Sequence, residues 1–163
     1  MRVGIISDTH IPDRADRIPE KILEDFKKVD LILHAGDLVE LKVLEDLRSV
    51  CPDVKAVWGN MDPQKVRNIL PEKEIIKIGG IIIGLVHGWG HPNKLIDLVG
   101  DTFRDNKLDA IVFGHAHYPT NQVKSGVLYF NPGSPTDKIF SPFNSYGLLE
   151  IKDGKIEGEI IRI

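Results

Sequence analysis

The chain has a single cysteine, Cys51, so no disulfide can close within it and no thiolate cluster can build a structural zinc site. Its longest apolar stretches, such as residues 81–86, fall far short of the roughly 20 residues a membrane-spanning helix needs. No secretory signal precedes the first strand-like run, so the chain is expected in the cytoplasm. Positive charge is not in excess either: 21 Lys and Arg against 24 Asp and Glu leave a formal charge of −3, and the basic residues are scattered. That excludes a dedicated nucleic-acid surface. No stable nucleic-acid binding is expected, although a nucleic-acid fragment as substrate stays open. With 163 residues, 42% of them hydrophobic, and no repeat or low-complexity linker, residues 1–163 are expected to form one domain around one core.

Residues 3–7, 31–35 and 54–58 read as buried strands. The stretches between them carry helical stripes: Ile18, Ile22, Leu23 and Phe26 within 18–28, and Leu41, Val43, Leu44 and Leu47 within 38–50. Pro19 suits a helix start. After this β-α-β-α-β unit the pattern turns to hairpins, because residues 74–78 and 81–86 flank Gly79-Gly80, whose freedom of φ suits a tight primed turn. A helix over 93–106 and a strand over 110–113 follow, then hairpins turning at Ser125-Gly126 and Asp153-Gly154. The predicted product is two packed sheets flanked by helices.

Five polar clusters each follow a strand-like run: Asp8-Thr9-His10, Gly36-Asp37, Gly59-Asn60, His87-Gly88 and Gly114-His115-Ala116-His117. In open α/β sheets the strand ends converge on one crevice, so residues distant in sequence can meet there. Alternate residues of an extended segment point the same way, so Asp8 with His10, and His115 with His117, are each expected to project to one side. Glycine before Asp37, Asn60 and His115 lets the backbone approach an ion closely. Carboxylate, carboxamide and imidazole together suit Mn, Fe, Zn, Co or Ni. The set reads as a two-metal phosphoesterase site. Two divalent ions, less the charges of Asp8, Asp37 and one bridging hydroxide, leave about +1, which attracts a phosphate oxyanion. Ions roughly 3.5–4 Å apart can activate a bridging water and hold the phosphoryl oxygens during in-line displacement.

In this order the clusters resemble the calcineurin-like metallophosphoesterase superfamily over the whole chain, and particularly its small single-domain bacterial and archaeal phosphodiesterase branch. The superfamily series runs Asp-x-His, Gly-Asp, Gly-Asn-His-Asp or Glu, a lone His, and Gly-His-x-His. Every element is present except the histidine of the third. The resemblance implies an α/β fold, a four-layer αββα sandwich of two mixed β-sheets flanked by helices. It implies one metal held by Asp8, His10, Asp37 and His117 and a second held by Asp37, Asn60, His87 and His115, with Asp37 bridging. Mn2+ is the metal first expected, with Ni2+, Co2+, Fe2+ or Zn2+ as alternatives. Relatives are often dimers or larger, so a homodimer or higher homo-oligomer is a further expectation. Asn131-Pro132-Gly133-Ser134 resembles the branch's late segment, where glycine and serine approach the metal centre.

Met61 stands where many members carry the histidine that protonates the leaving oxygen, and methionine cannot do that. Asp62, which in the superfamily orients that histidine, is left without its partner. Trp89 replaces a further histidine after His-Gly. The catalytic set expected is therefore Asp37 and Asn60, with His91 as substitute proton donor; the plainer reading of His91 is a loop residue before a helix. His34, inside an apolar strand, reads as a hydrogen-bonded core histidine rather than a ligand. Arg14 and Arg17 offer forks for phosphate, against a commoner role as solvated loop charges. The stretch 141–145, Ser-Pro-Phe-Asn-Ser, with Phe140 and Phe143, suits a lid, a subunit contact or a hairpin loop whose aromatics pack inward. Trp58 reads as a core residue at a strand end. The expected function is hydrolysis of a small organic or nucleotide-derived phosphodiester by a metal-bound hydroxide, because a missing acid favours leaving groups of low pKa. The alternatives are phosphomonoester hydrolysis and a non-catalytic metal-binding scaffold, a role that a retromer subunit of this fold illustrates.

Overall fold

The structure, a computed structural model describing Met1–Ile163, holds two five-stranded sheets. The first comprises β1 (Arg2–Ile6), β2 (Leu31–His34), β3 (Val54–Ala56), β9 (Ser145–Lys152) and β10 (Lys155–Arg162), in the order β10-β9-β1-β2-β3. The second comprises β4 (Lys73–Ile78), β5 (Ile81–Val86), β6 (Ala110–Val112), β7 (Thr120–Lys124) and β8 (Val127–Asn131), in the order β4-β5-β6-β8-β7. Strands β1, β2 and β3 run parallel, as do β5, β6 and β8, while the hairpin partners run antiparallel. Both sheets are therefore mixed, as expected.

Burial explains the layering. Val3, Ile5, Leu31 and Leu33 of the first sheet meet Ile83, Leu85, Val112 and Phe130 of the second in one core between the sheets. The opposite face of the first sheet, through Ile6, Ile32 and Leu148, receives α1 (Glu20–Phe26) and α2 (Lys42–Arg48). On the far side, Leu95 and Val99 of α4 (Leu95–Thr102), with Phe103 just past its end, pack over Val86, Ile111 and Phe113. Helix, sheet, sheet and helix make the predicted sandwich. Cover on both faces is why β1 and β2 read as unbroken apolar runs rather than alternating ones. No helix is long and apolar enough to cross a membrane.

The three predicted hairpin turns fall where expected, with positive φ at both residues of each: Gly79 and Gly80 (58° and 79°), Ser125 and Gly126 (51° and 81°), Asp153 and Gly154 (51° and 71°). The helices differ more. The second begins at Lys42 rather than residue 38, because Val39 adopts φ 73° and gives its N–H to Asp62 at 2.7 Å, keeping this stretch in the loop that follows β2. The helix predicted over 93–106 divides into a 3₁₀ turn, Pro92–Lys94, and α4, which ends at Thr102. A one-turn helix, α3 (Gln64–Arg67), buries only Val66 and so carries no apolar stripe to announce it in the sequence.

Candidate metal centre

The five polar clusters follow β1, β2, β3, β5 and β6, and the carboxyl ends of these parallel strands open at one end of the sandwich. The structure brings all seven predicted ligands together there. His10 Nε2 lies 3.9 Å from Asp8 Oδ1, 3.8 Å from Asp37 Oδ2 and 3.1 Å from His117 Nε2. His87 Nε2 lies 3.3 Å from Asp37 Oδ2 and 3.1 Å from Asn60 Oδ1, and His115 Nδ1 lies 2.9 Å from the same Asn60 oxygen. Two overlapping groups, Asp8–His10–His117 and Asp8–Asp37–His87, have donor atoms within 4.8 Å of one another.

The side chains converge for a different reason from the one predicted. Asp8, His10, His115 and His117 are not in extended segments; with Asp37 they adopt positive φ, at 54°, 43°, 69°, 54° and 56° respectively. Such backbone is uncommon for residues with a Cβ and costs on the order of 1–3 kcal/mol each. Tethers between loops hold it: Asp8 N–H donates to Gly36 O and His10 N–H to Asp37 O, each at 3.0 Å, and His115 N–H donates to Asp8 Oδ2 at 3.1 Å. All three predicted glycines are required by close approach, and a Cβ on Gly36 would strike the His87 ring and the Gly59 backbone. A Cβ on Gly59 would strike Asp37 Oδ1, and one on Gly114 would strike Ser7 Oγ and Asp8 Oδ2.

Hydrogen-bond polarity tests whether these residues fit a cation. The Nδ1 of His87 donates to the Ala35 carbonyl at 2.7 Å, so a neutral ring presents a bare Nε2 lone pair to Asp37 Oδ2. His117 repeats this, with Nδ1 on the Asp137 carboxylate and Nε2 3.3 Å from Asp8 Oδ1. In His115, Nε2 donates to Gly90 O at 3.0 Å and Nδ1 faces Asn60 Oδ1. Acceptors thus face acceptors across the centre, and Asp8 Oδ1 is buried without any hydrogen-bond partner. Only protons or cations reconcile that arrangement. The donor set fits divalent metal.

The same conflict shows in the ionisation of the metal-free site. Burial opposes charge on His87, yet Asp8 and Asp37 overcome it and raise the pKa to about 9. Burial likewise opposes charge on His117, and Asp8 and Asp137 raise it to about 9. For Asp8, burial favours the neutral acid, but His87 and His117 hold the carboxyl well below the usual carboxylate range. His10 goes the other way, since its burial outweighs the pull of Asp8 and Asp37. His34, fully buried, is pushed down to about 3 chiefly by burial and bonds with Thr9 Oγ1 (3.1 Å) and the Gly36 N–H (3.2 Å), as a core histidine should.

Several supporting residues emerge only in three dimensions. Asp62, without a histidine to orient, accepts the N–H groups of Asp37, Val39 and Gly59 at 2.9, 2.7 and 2.7 Å, tying the loop after β2 to the loop after β3. Met61 donates its N–H to Asp37 Oδ1 at 2.7 Å while its side chain is 56% exposed at the mouth. Asp137 orients His117. Ser134 Oγ donates to Asp8 O at 2.8 Å and Thr136 Oγ1 to Thr9 O at 2.8 Å, so the Asn131–Ser134 segment reaches the centre through the backbone of the first cluster. No motif spacing marks Asp137 or Thr136 in advance.

The cavity over the centre, about 370 Å³, is lined by His10, Asp37, Asn60, His115 and His117 together with Asp13, Arg14, Met61 and Phe140. Arg14 lies over the Phe140 ring at 5.8 Å and 4.0 Å from Asp137 Oδ1, and Arg17 does not line the cavity. His91 is also outside it: its Nδ1 accepts the Asn93 N–H at 3.3 Å and caps the turn at Pro92–Lys94.

A helix–sheet–sheet–helix sandwich with this cluster at its strand ends defines a metallophosphoesterase. The chain belongs to the calcineurin-like phosphoesterase superfamily, whose domain model matches residues 1–154. It is 38% identical to a probable metallophosphoesterase of Methanothermobacter thermautotrophicus, over 99% of this chain and 92% of that protein. A phosphodiesterase of Methanocaldococcus jannaschii is 26% identical, over 82% of this chain and 83% of that one. Among solved structures, wild-type Vps29 complexed with Zn2+ from Entamoeba histolytica superposes with a TM-score of 0.77, at 29% identity and over 99% of both chains.

Proposed function

We propose that this protein is a metal-dependent phosphodiesterase acting on a small organic or nucleotide-derived diester. In this reading Asp8, His10, Asp37 and His117 hold one divalent ion, and Asp37, Asn60, His87 and His115 hold a second, with Mn2+ as the native metal. The carrying observation is the set of imidazole lone pairs aimed at carboxylate oxygens, which leaves a centre that only positive charge satisfies. When bound, paired divalent ions supply an activated water and neutralise charge at phosphorus. The chain's own residues do the rest. Arg14 lines the cavity, where its fork can take a non-bridging phosphate oxygen. Met61 and Phe140 form an apolar wall beside the site and offer no proton. His91 serves its turn rather than the cavity and has no part in this reading. Without a protonating side chain, diesters with good leaving groups are favoured over monoesters.

The test uses purified protein with Mn2+ and bis(p-nitrophenyl) phosphate. Turnover should appear and should vanish on chelation and in Asp37→Ala. Activity that survives both treatments would remove the two-metal reading.

A second reading, a non-catalytic module that binds another protein chain, draws on one observation. Ile139 and Phe140 are 69% and 68% exposed beside the cavity, an apolar pair suited to contact with a partner or a second copy of this chain. It predicts metal binding with no turnover.

A further inference from the structure

Beside the metal centre, between the ends of β3 and β5, lies a second cavity of about 210 Å³. Two of the residues that line it, Asn60 and His87, belong to the centre, and Asn60 also lines the cavity over the metal ligands, so the two cavities adjoin at that side chain. Both tryptophans of the chain, Trp58 and Trp89, line it. Trp58 is held by Arg67, whose guanidinium lies 4.8 Å from the ring centroid and donates to Asn60 O and Asp62 O at 2.7 Å each. Trp89 is 47% exposed, an indole at the lip of an apolar recess. Glu72, an exposed residue, also lines the recess and places its carboxylate at the solvent edge.

We infer that this cleft receives the nucleobase of a nucleotide-derived diester whose phosphate sits over the metal centre, an inference that rests on the hydrolytic reading of that centre. Size is the first ground. The recess is smaller than the roughly 300–1,000 Å³ of sites for drug-sized ligands and suits a single ring system. Surface chemistry is the second, because two indoles offer π surface to any planar heterocycle. The carboxylate is the third. Glu72 can only accept hydrogen bonds when ionised, so it selects rings with N–H donors on an edge, and the adjacent N1–H and N2–H groups of guanine match its two oxygens. A plain aryl group would lie against Glu72 and give it no donor.

Because Trp58 and Trp89 are the only tryptophans, intrinsic tryptophan fluorescence reports on this cleft alone. In the Mn2+-loaded protein, guanosine 5′-monophosphate should quench it saturably, whereas ribose 5-phosphate, which carries the phosphate without the base, should not. Phenyl phosphate should bind more weakly than the nucleotide. Trp89→Ala, followed through Trp58, should weaken nucleotide binding about 10-fold or more. Glu72→Gln should weaken the nucleotide and leave phenyl phosphate unchanged. Equal responses to nucleotide and ribose 5-phosphate, undiminished nucleotide binding in Trp89→Ala, or phenyl phosphate binding as tightly as the nucleotide would each overturn the inference. Hydrolysis of bis(p-nitrophenyl) phosphate is read separately. If it fails while nucleotide still quenches, the hydrolytic reading falls and the base site stands. If it proceeds without any quenching, the base site alone falls.

Discussion

Asp62 offers the sharpest test of how this centre is held. Its carboxylate is 2% exposed and is the sole side chain tying Asp37, Val39 and Gly59 together by their N–H groups, one oxygen taking Asp37 and Gly59 and the other Val39. A buried donor left unpaired costs about 1–3 kcal/mol, so Asp62→Ala, which strands three, should cost about 3–9 kcal/mol, less where water enters. That is a large part of the roughly 5–15 kcal/mol that stabilises a domain, and this variant should fold poorly. Asp62→Asn is the informative one. Its single oxygen can keep the Asp37 and Gly59 N–H groups, while its amide faces the Val39 N–H, so one donor is lost at about 1–3 kcal/mol. The loops carrying Asp37 and Asn60 then loosen, and metal affinity should fall about 10–100-fold, the range typical when a support of a ligand is removed. Urea unfolding of the metal-free protein and metal titration followed calorimetrically measure the two quantities. Stability within about 0.5 kcal/mol of the parent, together with unchanged metal affinity, would refute the claim that this carboxylate joins the two loops.

Two further outcomes follow from the same geometry. With pKa values raised from 6.5 to about 9, His87 and His117 carry protons near neutral pH in the metal-free protein. Their contribution to its stability is fully present below 6.5 and is lost as pH rises through about 9. Metal must displace those protons, so its affinity should climb with pH over that window, and calorimetry in buffers of different ionisation enthalpy should record proton release at pH 7; none released would contradict the assignment. Asp137→Asn removes the carboxylate from His117 Nδ1 and should lower metal affinity about 10–100-fold, with circular dichroism unchanged. An affinity equal to that of the parent would show that His117 is oriented by something else.

The residue types of the centre and their order along the chain were legible in the sequence, because each ligand follows an apolar run long enough to be a buried strand and parallel strands deliver their ends to one place. The three hairpin turns were legible for a local reason, since glycine or Asp and Ser beside glycine tolerate the positive φ a primed turn demands. Helix limits were not. Val39 looks like the first turn of a helix until Asp62, more than twenty residues later, takes its N–H.

Composition, strand pattern and the ligand series by themselves determined the layered fold and the chemistry of the site, since burial and ligand preference are properties of residue type. Only the tertiary structure decided how that site is supported. Left-handed backbone at five ligands is stable because tethers between separate loops hold it, and no local propensity encodes it. Asp137 on His117, Ser134 on Asp8, and the cleft shared by Trp58, Trp89 and Glu72 join residues from different loops, so their meeting depends on how two sheets pack and not on any spacing along the chain.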